Sequence, residues 1–289
     1  MKKSILYAVS IVFLTSIFVS CSSKGKSTES SNNLIFGFSP GPYSDLFKLA
    51  IKPGLEQKGY EVKIVELTDW VTPNLSLANG EIDANIFQHS RYLKKFSEDK
   101  GLALSPVIAI PTASLGLYSR SLKASSIDEL NVELKPNATV AIPNDPTNSA
   151  RALIFIRDLG LITFKAGVDA TQATEKDIDQ NPHGLKITLV DAAQLPRSLD
   201  GIELAVISGN YAISAGIKLS TAIANEHLVL ETENIVAVRT ADLDKPFVKD
   251  LEEIIRSEAF KNKVEDPQYD FASFQRQQWY VEKWGIQNK

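Results

Sequence analysis

The chain has 289 residues, of which 44% are hydrophobic and 23% are charged, so it can bury a large core in one or two domains. Its formal net charge is −4 at pH 7 and it contains no basic block, which argues against a nucleic-acid-binding protein. It contains one cysteine, which excludes an internal disulfide.

The N-terminus has the pattern of an export signal. Two lysines precede a mostly apolar run over residues 5–19, which is short for a transmembrane helix and is followed by polar residues. We therefore predict a signal peptide over residues 1–20. Cys21 follows it directly, as in a bacterial lipoprotein signal, where this cysteine becomes the lipidated N-terminus; the alternative is an ordinary signal peptide with an incidental cysteine. Residues 21–33 are Ser-rich and aperiodic, which predicts a flexible tether.

Strand and helix patterns alternate along the rest of the chain. Short apolar or β-branched runs predict strands over 34–38, 60–67, 81–87, 104–110, 114–118, 139–142, 186–190, 203–207 and 234–239. Apolar residues three and four apart predict helices over 43–58, 69–79, 91–99, 126–130, 146–159, 192–199, 246–258, 257–263 and 271–284, and another that opens at 210. This alternation indicates parallel βαβ units in two α/β blocks, with the C-terminal helices completing the first.

The stretch from Thr139 to Leu159 predicts an anion site. A β-branched strand ends at Ile142 and is broken by Pro143, and Asp145-Pro146 then offers an N-cap and a proline at the first helical position. A helix start at this place gathers backbone N–H groups and the positive end of the helix dipole. Arg151, one turn inside, can hold a carboxylate through two parallel hydrogen bonds. The alternative is a capped helix whose Arg151 pairs with a surface acid. Because there is no Gly-rich phosphate loop, a small carboxylate is the better prediction.

Polar residues follow several predicted strands. Ligands of open α/β sheets bind beyond the carboxyl ends of the strands, so His89 and the segments 144–148 and 208–210 are candidates for ligand contacts. Several aromatic residues accompany His89 and suggest a pocket wall, although a satisfied, half-buried histidine fits equally well. Aromatic side chains beside a charge-binding Arg151 suit a ligand with one apolar end and one charged end.

The sequence does not indicate an enzyme. None of the three histidines, His89, His183 and His227, has a second ligand at metal spacing, and no nucleophile elbow is present. Asp83 lies in a predicted strand without a partner at catalytic spacing, and such an aspartate more often bonds to neighbouring backbone. We therefore predict no catalytic residues, no metal and no cofactor.

Four stretches resemble the methionine-binding lipoproteins of bacterial ABC importers, the NlpA-type lipoprotein family. They are DANIFQHSRYL (83–93), GLYS (116–119), AIPNDPTNSARAL (141–153) and AAQLPRSLD (192–200). The resemblance extends from about residue 34 onward, and the third and fourth stretches are long and specific. It implies a periplasmic-binding-protein fold, in which two α/β lobes are joined by crossing strands with a ligand cleft between them. The implied lobes are residues 34–117 plus 229–289 and residues 118–228, with crossings near 115–118 and 235–238.

The resemblance also implies roles for individual residues. Arg151 would hold the ligand carboxylate, and Asn234 would contact the amino-acid head group. Trp70 stands where the family usually has Tyr, and its ring can still pack against a thioether sulfur, a contact worth about 0.3–1.5 kcal/mol. Ser208 replaces the usual Asn and lacks its amide, for which Asn210 is a candidate substitute. The candidate ligand-binding residues are Arg151, Asn234, Trp70, Phe87, His89, Tyr92, Ser208, Asn210 and Asn148.

We therefore predict a lipid-anchored substrate-binding protein that captures methionine, as the L or D form, and delivers it to a membrane ABC permease and its ATPase. It is expected to be exported, to be held at the cell membrane through acylated Cys21, and to act as a monomer. Departures from the family pattern near the pocket leave a different amino acid or a methionine-containing dipeptide as alternatives. A surface lipoprotein for adhesion or display is a further alternative, against which the presence of both Arg151 and Asn234 argues.

Overall fold

The computed structural model describes residues 32–286. The predicted signal peptide, Cys21 and most of the predicted tether lie outside this range. None of the helices between residues 32 and 286 has the length and apolar composition that crossing a lipid bilayer requires. The first strand begins at Asn33, the last residue of the predicted tether.

Ten strands and eleven α-helices make up this part of the chain. The strands are β1 (Asn33–Phe38), β2 (Glu61–Glu66), β3 (Ala84–His89), β4 (Leu104–Ala109), β5 (Leu115–Tyr118), β6 (Thr139–Pro143), β7 (Lys186–Val190), β8 (Leu204–Ser208), β9 (Ala224–Asn225) and β10 (Asn234–Arg239). The helices are α1 (Tyr43–Leu46), α2 (Lys52–Gln57), α3 (Thr72–Asn79), α4 (Ser90–Lys100), α5 (Ile127–Glu133), α6 (Pro146–Asp158), α7 (Leu195–Ser198), α8 (Gly209–Ser214), α9 (Pro246–Ile255), α10 (Glu258–Val264) and α11 (Gln278–Trp284). A π-helical segment, Phe47–Ile51, joins α1 to α2, so the predicted helix over 43–58 is interrupted just before Pro53.

The strands form two five-stranded mixed sheets, ordered β2-β1-β3-β10-β4 and β7-β6-β8-β5-β9. The strands of the predicted βαβ units pair in parallel, β1 with β2 and β3, and β6 with β7 and β8. In contrast, β10 and β5 run antiparallel to both of their neighbours. Each of these two strands is the first one after the chain has crossed from the other sheet, and it enters its sheet in the opposite direction.

The chain crosses between the sheets twice, through residues 110–114 and through residues 226–233. The segments predicted as crossings are β5 and β10 themselves, which begin just after these connections. A third segment, around Gln275, pairs with the first crossing, because Thr112 and Gln275 exchange backbone hydrogen bonds of 3.0 and 2.9 Å. This pairing keeps residues 274–277 extended, so the single helix predicted over 271–284 is wrong. A short 3-10 helix (Asp270–Ser273) precedes the extended residues, and only α11 is α-helical.

Each sheet has its own hydrophobic core. The core of the first sheet includes Phe36 and Phe47 together with Leu251, Phe260 and Tyr280 of the C-terminal region. The C-terminal helices therefore complete the first block, as predicted. The core of the second sheet packs the apolar face of α6 against β5, β6 and β8. The two cores are connected by the two crossings, and the cleft lies between the sheets.

Three buried amides hold α3 against β3. Gln88 exchanges two hydrogen bonds with Asn74, of 2.7 and 2.6 Å, and donates to Asn85 at 2.9 Å. Asn85 also donates to Asn74 at 3.0 Å, and none of the three residues is more than 3% exposed. Because water does not reach these groups, losing one amide leaves the others with unpaired donors and acceptors.

We expect Asn74→Ala to lower the free energy of unfolding by about 1–3 kcal/mol, the cost of unpaired buried polar groups. Asn79→Ala is the matched control, because Asn79 lies on the same helix but is exposed, and it should change stability by less than about 0.5 kcal/mol. Urea unfolding followed by tryptophan fluorescence measures both. Equal stabilities of the two variants would contradict a structural role for the amide network.

Candidate functional site

A cavity lies between the two sheets, where β3 and β8 end and α6 begins. Its lining comes from both sheets and from the first crossing: Trp70, Phe87, Gln88, His89, Tyr92, Ala113, Leu115, Asn148, Arg151, Ser208, Asn210 and Asn234. All but Trp70 are buried. This is the place where ligands bind in open α/β sheets, beyond the carboxyl ends of parallel strands.

All nine predicted ligand-binding residues line this cavity, and their roles toward a ligand stay predictions. Gln88, Ala113 and Leu115 also line it and had not been predicted. Asp83, which the sequence suggested was structural, accepts a hydrogen bond from the backbone of Ile35 at 2.9 Å and pairs with Arg239 at 3.3 Å. The predicted hydrogen bond to neighbouring backbone is confirmed, but Asp83 lies just before β3 and not within a strand.

Arg151 projects from the second turn of α6, whose N-cap is Asp145 with Pro146 at the first position, as predicted. Its guanidinium is buried and forms a two-point ion pair with Glu226, with Nε to Oε1 at 2.7 Å and Nη2 to Oε2 at 2.5 Å. The sequence suggested either a ligand carboxylate or a surface acid as the partner. The acid is instead a buried one from the second crossing, and no sequence signal links two residues 75 positions apart.

The ion pair uses one edge of the guanidinium. Arg151 lines the cavity, and among residues 32–286 no group accepts a hydrogen bond from its Nη1. A guanidinium has five N–H donors in a planar fork, so an edge occupied by Glu226 leaves further donors for a second carboxylate. The arrangement can therefore hold an anionic group while the buried charge of Arg151 remains compensated.

His89 links the two sheets through a chain of hydrogen bonds. Its Nδ1 accepts from the backbone N–H of Tyr92 at 3.1 Å and caps α4, and its Nε2 lies 3.0 Å from Oδ1 of Asn148. Burial, with the nearby charge of Arg151, lowers the pKa of His89 to about 3, so the ring is neutral. A neutral ring that accepts at Nδ1 carries its proton on Nε2, which donates to Asn148.

Asn148 is held from its other side as well. Its backbone N–H donates to Asp145 at 2.9 Å, and its Nδ2 lies 3.2 Å from both carboxylate oxygens of that residue. Asn234 is fixed by the first crossing, since its backbone N–H donates to Oγ1 of Thr112 at 2.9 Å. Its Nδ2 lies 3.4 Å from the carbonyl oxygen of Phe87. Both amides therefore enter the cavity in defined orientations.

Aromatic rings form another part of the lining. Phe87, Tyr92 and Phe96 make one buried cluster, and the Trp70 ring lies edge-on to Tyr92 with 6.1 Å between centroids. Trp70 also stacks on Tyr211 of the second lobe at 5.1 Å. Ring faces and edges of this kind favour apolar and sulfur-containing groups.

Two polar atoms of the lining are buried without a partner in the described part of the chain: Oγ of Ser208 and Nε1 of Trp70. Buried polar groups are nearly always hydrogen-bonded, so these two mark positions where a ligand atom would be stabilising. Asn210 is already engaged, because its Nδ2 donates to the carbonyl oxygen of Pro40 across the cleft at 3.2 Å.

A family model described as NlpA lipoprotein matches residues 34–275. The chain belongs to the NlpA lipoprotein family. The D-methionine-binding lipoprotein MetQ of Salmonella typhi is 40% identical over 195 residues, which are 67% of this chain and 69% of that protein. Outer membrane lipoprotein 3 of Mannheimia haemolytica is 33% identical over 267 residues, 92% of this chain and 95% of that protein.

The comparison with solved structures supports the same family. A nutrient-binding protein from Burkholderia cenocepacia bound to methionine matches with a TM-score of 0.74 and 37% identity, covering 81% of this chain and 95% of that one. The predicted family and the predicted two-lobed periplasmic-binding-protein fold are thereby confirmed. So is the prediction of a binding protein rather than an enzyme, because the family consists of substrate-binding lipoproteins.

Glu233, the residue before Asn234, is a buried acid with no partner among residues 32–286. It is 8% exposed, and burial raises the pKa of its carboxyl from 4.5 to about 7. Between these two values the folded protein keeps a proton that the unfolded chain releases. The protonated carboxyl therefore makes its full contribution to the free energy of unfolding at low pH, and this contribution is lost as the pH rises through 7.

We expect Glu233→Gln to remove this loss. The stability difference between this variant and the wild type, in free energy of unfolding, should therefore shift in favour of the variant by about 1–3 kcal/mol between pH 5 and pH 8. Glu231→Gln is the matched control, since Glu231 is exposed two residues earlier. Chemical unfolding at a series of pH values provides the comparison. Parallel pH profiles for wild type and Glu233→Gln would refute the assignment.

Proposed function

We propose that this protein is an exported, lipid-anchored substrate-binding protein that captures methionine and delivers it to an ABC importer. The observation that carries the proposal is the division of the cavity lining. One part holds Arg151 and three asparagines, the other holds aromatic rings, and His89 touches both. An amino acid with a long apolar side chain has the same division.

The polar part suits the head group of an amino acid. Arg151 offers Nη donors to the carboxylate while Glu226 compensates its charge. Asn234 and Asn148 offer amide oxygens near the ammonium, and Oγ of Ser208 can accept or donate. His89 stays neutral, so it orients Asn148 through a hydrogen bond and does not add a second positive charge.

The aromatic part suits a thioether. Trp70, Phe87 and Tyr92 surround one region, and each sulfur–ring contact contributes about 0.3–1.5 kcal/mol. The names of the relatives support the same ligand, since MetQ of Salmonella typhi is named for D-methionine and the Burkholderia protein holds methionine.

Closure of the lobes around the ligand is the proposed mechanism. We divide the lobes within the two crossings, 110–114 and 226–233. Both lobes supply lining residues, so a bound ligand stabilises the closed arrangement. Three contacts join the lobes directly across the cleft: His89 with Asn148, Trp70 with Tyr211, and Asn210 with Pro40. The importer's permease and ATPase would recognise a closed monomer held at the membrane through Cys21.

Calorimetric titration of the purified protein with L-methionine, after mass spectrometry of any ligand released on denaturation, tests the proposal. We expect methionine to be released and to rebind, and Arg151→Ala to weaken binding by about 3–5 kcal/mol, the cost of leaving a buried charge unpaired. Arg157→Ala, on the same helix but paired at the surface with Asp158, is the control and should bind as the wild type does.

Arg151→Ala also leaves Glu226 unpaired, so the stability of each variant without ligand is measured alongside. Arg151→Lys keeps the charge but replaces the fork by a point charge, and its affinity should fall between those of wild type and Arg151→Ala. Wild-type affinity in Arg151→Ala would show that this residue does not hold the carboxylate.

Ser208→Ala separates ligand binding from folding. Because Oγ of Ser208 has no partner among the described residues, its removal should leave stability without ligand unchanged or higher, yet weaken methionine binding by about 0.5–1.5 kcal/mol. Tyr118→Phe is the matched control, because the Tyr118 hydroxyl is also buried and unpartnered in this part of the chain but does not line the cavity. It should leave affinity unchanged. Identical affinities for Ser208→Ala and wild type would exclude a ligand contact.

A further inference from the structure

Glu226 is the one strong partner of Arg151 among residues 32–286, and it does not line the cavity itself. It is 9% exposed, and its Oε2 accepts both from Arg151 and from the backbone N–H of Leu115, at 2.5 and 3.3 Å. Three hydrogen bonds, two of them from Arg151, fix this carboxylate in a dry environment. Glu226 is therefore the built-in counter-ion of Arg151.

The backbone of Glu226 is fixed at the junction of the lobes. Its N–H donates to the carbonyl oxygen of Leu115 at 2.9 Å, and its own carbonyl oxygen accepts from the side chain of Gln275. Gln275 also accepts from the backbone N–H of Leu228 at 2.9 Å and pairs with Thr112. Glu226 cannot move away from Arg151 without opening these contacts, so it sets where the guanidinium stands.

Arg151 and Glu226 compensate each other's charge before any ligand arrives. Of the twelve residues that line the cavity, Arg151 is the one that carries a charge, because His89 is neutral. Glu226, which lies outside the cavity lining, compensates that charge. The nearby carboxylate of Asp145 is directed at Asn148, as its hydrogen bonds show. A ligand carboxylate alone would therefore bring an uncompensated negative charge next to Glu226, whereas a zwitterion brings none.

We propose that Glu226 is a specificity-determining residue, which makes the site select zwitterionic amino acids against anions of the same shape that lack the ammonium group. This inference rests on the proposed function and deepens it. An arginine without Glu226 would present a net positive site, to which a des-amino acid would bind as a matched counter-ion. With Glu226 in place, the ammonium is needed to balance the ligand's own carboxylate. The anions excluded are the carboxylic and 2-oxo acids that share the side chain.

The test compares L-methionine with 4-(methylthio)butanoate, which is methionine without its ammonium group, in wild type and Glu226→Gln. Glutamine keeps the shape and an oxygen acceptor but removes the charge. In the wild type we expect methionine to bind more tightly than the anion. In Glu226→Gln we expect this preference to fall by about tenfold or more, because one charge at close range in a protein interior has at least that effect. Calorimetry with both ligands gives the four dissociation constants.

A role of Glu226 in merely holding Arg151 in place predicts something different, namely equal weakening of both ligands with an unchanged preference. That result would overturn the proposal, as would a wild type that binds the anion as tightly as methionine. The second of these measurements needs no variant and stays decisive if Glu226→Gln fails to fold. Glu226→Asp keeps the charge and should keep the preference even if both affinities drop.

Glu265→Gln is the matched control, since Glu265 pairs with Arg276 at 2.8 Å outside the cavity lining. It should leave the preference unchanged, and a loss equal to that of Glu226→Gln would overturn the proposal. If the wild type binds another zwitterionic amino acid in place of methionine, methionine is wrong as the proposed ligand. The same comparison, made with that amino acid and its analogue without the ammonium group, then tests the role of Glu226 separately.

Discussion

The buried ion pair between Arg151 and Glu226 is the interaction on which the rest of the site depends. A guanidinium on the inner face of α6 would be strongly destabilising in a dry cavity without a counter-charge, and Glu226 supplies that charge from the second crossing. The pair thus joins the helix that begins at the carboxyl end of β6 to the junction of the lobes. It also defines which edge of the guanidinium remains for a ligand.

The other polar residues of the cavity follow the same plan. Asp145 orients Asn148, the backbone of Tyr92 selects the tautomer of His89, and Thr112 anchors Asn234. Each of these three lining groups is held by a second group, so little conformational entropy would be lost if a ligand bound to them. The supporting groups come from helix starts and crossings, where backbone N–H groups and side-chain oxygens are left without partners in regular structure.

Packing between aromatic rings shapes the remaining part of the cavity. Trp70 touches Tyr92 in its own lobe and Tyr211 in the other, so the aromatic part of the lining is also a contact between the lobes. In the proposed mechanism, binding and closure are coupled through these same side chains. Hydrogen bonds among the side-chain amides of Asn74, Asn85 and Gln88 support this part of the lining, because Gln88 lies between Phe87 and His89 on β3. A ligand that fills the cavity would therefore stabilise both this part of the lining and the closed arrangement.

The sequence by itself determined the local features and, through motifs, the family. Regular periodicities identified β1, β7 and β10, and the Asp145-Pro146 cap identified the start of α6. The family resemblance and the polar residues after strand ends led to nine residues that line one cavity. These signals are local, because a strand, a cap or a motif is encoded by residues within a few positions of one another.

Tertiary structure decided what depends on partners distant in the chain. The antiparallel entry of β5 and β10, the extended segment around Gln275 and the pairing of Arg151 with Glu226 have no local signature. Glu226 looks like any surface acid in the sequence and becomes a buried counter-ion because two crossings bring it to α6. Its charge matters in proportion to its burial, and burial is a property of the folded chain rather than of its sequence neighbours.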